Sequence, residues 1–198
     1  MLNRLQRGVT SIELMIGIAI LAILMAAGMP SMSAWISNAQ IRGGAEIVQS
    51  GMQLARGEAI KRNAPVRFTL TEADGQIGWR VGCVSITTAP DCPATIQART
   101  AVEASSKARI GASTAIIPNP APSTQFTTAL AAGAALPAGV TFDGFGRTVP
   151  AAGADIARVD VINPASAGAR RMVITVGSGG VVRMCDPALS RATNSQGC

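Results

Sequence analysis

The sequence predicts an α+β protein: a long N-terminal helix packed on the antiparallel β-sheets of a globular head. Three observations carry this expectation. Leu14 to Met29 are apolar without interruption and are followed by Pro30. From Ile41 to Ala59 apolar residues recur every three or four positions, the period of an amphipathic helix. After Pro65 the period falls to two, the period of a half-buried strand.

Residues 1–8 form a short leader carrying Arg4 and Arg7, and basic residues ahead of an apolar run place that end in the cytoplasm. Residues 9–30 form the first half of the helix. Spanning a bilayer takes roughly 20 apolar residues, so the run from Leu14 to Met29, extended by Ile12, predicts a slightly short membrane anchor. Pro30 lacks an amide hydrogen and predicts a kink. Glu13 stands at the mouth of the run, and a carboxylate in lipid costs a few kcal/mol unless it is paired.

Residues 31–63 form the second half. Ile41, Ala45, Val48, Met52, Ala55 and Ala59 line one stripe, with Arg42, Glu46, Arg56, Glu58 and Arg62 off it. Glu58 and Arg62 make an i,i+4 pair, and Pro65 sets the end of the helix near Asn63. Residues 64–198 form the head. Strands are predicted at 66–70, 77–85, 95–103, 139–145 and 157–163. The stretch 171–185 reads as a hairpin turning at Gly177-Ser178-Gly179-Gly180. Gly111 to Gly139, with Pro118, Pro120, Pro122 and Pro137, predicts a long loop. Trp79, Phe142 and Phe145 are expected in the core, and Asp143 and Arg147 in a turn.

Composition narrows the chemistry. The chain has 198 residues, enough for one domain and an anchor, and a net charge of +6 that suits either an anionic partner or a solvated basic face. It contains no His, which removes the commonest general base and metal ligand. No GxSxG and no phosphate-cradling loop with its Lys occurs. No catalytic residue, metal site or cofactor is therefore expected. Cys83, Cys92, Cys185 and Cys198 lack zinc-site spacing. Two local disulfides, Cys83–Cys92 and Cys185–Cys198, are the simpler reading and imply an oxidising compartment. Four buried free thiols are the alternative.

Gly8-Val9-Thr10-Ser11-Ile12-Glu13, the apolar run and Pro30 resemble the class III signal of type IV pilins and type II secretion pseudopilins. Val9 and Ser11 stand where that pattern usually has Phe and Leu. The resemblance extends to the whole chain. Residues 52–63 with Pro65-Val66, the pair Gly78-Trp79, the segment 142–147 and the segment 180–185 look like motifs of GspH/FimT-type minor pilins.

That resemblance implies a subunit of a type IV pilus or of a type II secretion pseudopilus rather than an enzyme. A prepilin peptidase would cut between Gly8 and Val9, and Val9 would be N-methylated. The chain would sit in the bacterial inner membrane as a single-pass protein with its head in the periplasm. A separate ATPase would then move it into the filament beside other pilin or pseudopilin subunits. Glu13 would pair with the freed α-amine of a neighbouring subunit and set the register. The head would contact other subunits and a secreted substrate or DNA. The DNA alternative, a receptor for DNA uptake, rests on Arg170, Arg171, Arg183 and Arg191. It is weakened by Val181, which stands where the first Arg of the G-R-x-R motif falls.

Overall fold

The computed structural model describes residues 8–85, 92–101, 107–122, 124–149, 155–166 and 168–198, the side chains of 26–31 excepted. The leader up to Arg7 and the side chain of Pro30, where a kink is expected, lie outside the described residues.

Among the described residues, one helix, α1, runs from Ser11 to Arg62. Eight strands follow among them: β1 (Val66–Leu70), β2 (Trp79–Cys83), β3 (Gln97–Arg99), β4 (Arg109–Ser113), β5 (Ala138–Phe142), β6 (Arg158–Ile162), β7 (Met172–Val176) and β8 (Val182–Cys185). They form two four-stranded sheets, in the orders β3-β2-β1-β5 and β4-β6-β7-β8. Every pairing is antiparallel. The chain divides into two compact units, residues 1–36 and 37–198.

In the second unit the predicted stripe is the core face of the helix. Ile41, Ala45, Val48, Met52, Ala55 and Ala59 are each at 0% exposure. Small residues bring the helix backbone close to the sheets. A methyl group added at Gly51 would stand 2.7 Å from Phe68 Cε2, and one at Gly44 would stand 2.6 Å from Ile77 Cδ1. Phe68 and Trp79 pack at 5.9 Å between ring centroids. Val66, Phe68 and Leu70 alternate inward along β1 with Arg67 and Thr69 between them, so the period of two seen in the sequence is the pleat itself.

The helix ends as a Schellman motif. Asn63 takes φ +48°, its amide donates to the Ile60 carbonyl, and the Ala64 amide donates to Ala59. Arg62 Nε lies 2.7 Å from Glu58 Oε2, the expected i,i+4 pair. Cys83–Cys92 and Cys185–Cys198 are both bonded.

Two expectations are corrected. Phe145 is 78% exposed, because it sits in the turn after β5, with its amide tied back to Asp143. The expected loop at 111–139 begins inside β4, which pairs with β6 from Arg109↔Ile162 to Ser113↔Arg158. Gly111 hides this strand in the sequence, yet only glycine fits there: a methyl group would stand 2.1 Å from the Ala131 carbonyl oxygen. The segment 131–134 folds back along β4 and covers its outer edge, with Gly133 N donating to Ile110 O and Ala112 N to Ala134 O.

Candidate assembly site

The N-terminal unit presents an apolar surface with nothing of its own to cover it. Every described residue from Gly8 to Met25 is exposed. Ile12, Leu14, Met15, Ile18, Leu21, Ile23 and Leu24 are among its large apolar side chains. Apolar groups point in all directions around this half of the helix, so a single flat neighbour could not cover them. Such a segment needs an enclosing environment, either lipid or several other helices. Among the described residues, no helix is long and apolar enough to cross a membrane.

The polar end of the segment is organised by its first turn. Thr10 is the N-cap of α1: its Oγ1 accepts from Glu13 N at 3.4 Å, and its carbonyl accepts from Leu14 N. Thr10-Ser11-Ile12-Glu13 has the spacing of a capping box, a signal readable in the sequence and missed there. It places Glu13 at N3, in the first turn, where the helix dipole favours a negative charge. Val9 lies outside the helix, immediately before the cap, and is exposed. Gly8 and Val9 thus lie on exposed chain just before the helix, and Glu13 is exposed in its first turn.

The motifs behind the resemblance have structural work in the head. Asp143 Oδ1 accepts from Phe145 N at 3.0 Å and Arg147 N at 2.8 Å, closing the turn. The Arg147 amide, followed by its side chain, holds the Asp143 carboxyl below the usual carboxylate range. The Arg147 guanidinium lies 5.3 Å over the exposed Phe145 ring. Gly146, at φ +73°, offers its carbonyl to Arg56 Nε of the helix at 2.9 Å. A methyl group at Gly180 would strike that same carbonyl. The end of the helix, the β5 turn and the β7–β8 hairpin therefore meet at one peptide group.

Of the four arginines named for DNA contact, Arg170, Arg171 and Arg183 have partners within the head. Arg171 is largely buried and pairs with Asp160, while also donating to the carbonyls of Phe126 and Thr128. Arg170 Nη2 lies 2.6 Å from Asp186 Oδ2. Arg183 Nη2 donates to Ser195 O and Gly197 O at 2.9 and 2.8 Å. Arg191 is exposed. A further arginine, Arg158, escaped the sequence reading. It joins Arg171 on Asp160 in a buried triad, with Arg158 Nε 2.7 Å from Asp160 Oδ1. Its only sequence signal is the alternation Arg158-Val159-Asp160-Val161, which puts opposite charges on one face of β6.

Comparison with known proteins follows this geometry. The model of the family described as type II transport protein GspH matches residues 44–180, well over half of the chain. No curated protein matches it. Among solved structures it is similar to the type IV minor pilin FimU of Pseudomonas aeruginosa in two crystal forms, at 13% identity in each. The TM-scores are 0.49 and 0.48, covering 76% and 75% of this chain and 92% and 94% of those.

Proposed function

The chain belongs to the GspH family of type II transport proteins, and from that premise we propose that it is a minor pilin or pseudopilin, a non-enzymatic building block of a periplasm-crossing filament. The observation that carries this reading is the exposed apolar stretch of α1 from Ser11 to Met25 with one carboxylate at its start. Before assembly, lipid of the inner membrane covers that surface, the helix continuing to the end of the apolar run at Met29. After assembly, the helices of neighbouring subunits cover it.

Processing prepares the exchange. A prepilin peptidase cleaves between Gly8 and Val9, removes the basic leader and creates a new α-amine, which is methylated. Glu13 of one copy then meets the cationic amine at Val9 of the next. The pair neutralises a charge that would otherwise stand alone among apolar groups, and it fixes the axial step between subunits. Helix propagation from the Thr10 cap holds Glu13 at a constant distance from the chain start.

Mass spectrometry of the chain purified from its native cells tests the processing. The expected species begins at Val9 and carries one methyl group, and a species beginning at Met1 overturns the reading. Glu13→Ala is expected to remain in the membrane fraction but to be lost from sheared filaments. Incorporation at the normal level would remove the register role of Glu13.

A further inference from the structure

The head carries a groove of about 750 Å³ between the proline-rich loop and the C-terminal tail. Pro120 and Pro122 form one wall, Pro187 and Leu189 the other; Phe126 lies at the base and Arg191 contributes a cation. Both walls are irregular chain, and the chain adjoining each is held by side chains of the second sheet. On the loop side, Arg158 donates to Gln125 O at 2.8 Å and to Thr128 O at 2.7 Å, and Asp160 Oδ2 accepts from Leu130 N at 3.0 Å. On the tail side, the Cys185–Cys198 bond, the Asp186 N to Gln196 O hydrogen bond and the two bonds from Arg183 hold the chain. Walls set before a ligand arrives lose little freedom when it binds.

Charge at this end of the head is unbalanced. Arg158 and Arg171 share the single carboxylate of Asp160, and Arg170 holds Asp186. Arg183 donates to neutral carbonyls. Burial, and after it the charge of Arg191, holds the Arg183 guanidinium below its usual value. An incoming carboxylate beside Arg191 would relieve that repulsion.

We propose that this groove docks an acidic segment of a partner protein, with an apolar side chain between the proline walls and an adjacent carboxylate on Arg191. The inference goes beyond the filament reading and does not rest on it. Nucleic acid fits the groove poorly. The lining presents one cation, and phosphate affinity grows with the number of cationic contacts. Phe126 is buried with Val173 and Cys185, closed to a stacking base.

The test is fluorescence anisotropy with the full chain in nonionic detergent and three labelled probes. These are a pentapeptide alternating Glu or Asp with Leu, its counterpart with Lys in the acidic positions, and a short oligothymidine. The acidic peptide is expected to bind saturably. Arg191→Glu should weaken it about fivefold or more, a surface ion pair being lost and a repulsion added. Ala188→Trp, which fills the groove from an exposed position, should abolish binding. Arg191 is itself exposed, so Arg191→Glu decides the matter alone if Ala188→Trp fails to fold. The proposal is overturned if the acidic peptide does not bind or the lysine peptide binds equally. Indifference to Arg191→Glu, or tighter binding of oligothymidine, overturns it as well.

Discussion

The two halves of α1 belong to one continuous helix and meet opposite fates. From Ile41 to Ala59 the apolar side chains keep to one stripe, and the sheets of the same chain cover that stripe completely. From Ile12 to Met25 apolar side chains occupy every face, and each is exposed. The difference is one of composition and of angular distribution: charged and amide side chains fill the outer faces of the second half, and apolar ones fill every face of the first. A stripe can be satisfied within a fold, whereas a fully apolar cylinder requires surroundings on all sides. The second half of the helix is therefore part of the fold, and the proposed function gives the first half to assembly.

Paired substitutions can break that division. Phe68→Ala, under the buried half, should cost the head about 3–5 kcal/mol in a guanidinium titration followed by near-UV circular dichroism. Leu21→Ala, in the exposed half, should leave the same titration unchanged and reduce only filament incorporation. Equal losses would show that the first half also supports the head. Cys185→Ala with Cys198→Ala should cost about 2–4 kcal/mol by the same measure, since the bond closes the tail onto the second sheet.

Two glycines of the one helix sharpen the contrast. Gly51→Ala forces a methyl group against Phe68 and Trp79 and should lower stability by about 1–3 kcal/mol. Gly17→Ala meets nothing within 4 Å, so the head should be unaffected and the helix itself should gain up to about 1 kcal/mol. The smallest effect is one of pH. The hydrogen bond from Arg62, with the charge of Lys61 behind it, holds the Glu58 carboxyl below its ordinary value of 4.5. Its contribution is thus complete above pH 4.5 and disappears as the pH falls through the lower folded value. Glu58→Gln should remove a few tenths of a kcal/mol at pH 7 and progressively less as the pH falls below 4.5.

Much of this division was legible in the sequence, because both periods of the helix and the alternation of β1 are direct projections of three-dimensional geometry. Both disulfides followed from local spacing. What escaped was decided by other parts of the chain. β4 is short and holds Gly111, and it is a strand because β6 and the segment 131–134 flank it. Phe145 resembled a core residue until the turn fixed by Asp143 turned it outward. Arg158 and Asp160 went unremarked because the loop 124–130 that lies over them is remote in sequence. At the N-terminus, Gly8 and Val9 were named by resemblance and Glu13 by its place at the mouth of the apolar run, while the capping geometry around Glu13 came from the structure.

The buried triad has one more consequence. Arg158, Arg171 and Asp160 grip the overlying loop through the carbonyls of Gln125, Phe126 and Thr128 and the amide of Leu130. Nearly every amino acid supplies those same peptide groups. A fastening of this kind is indifferent to the identity of most residues it holds, so natural variation can rewrite the loop's outer lettering while its attachment endures.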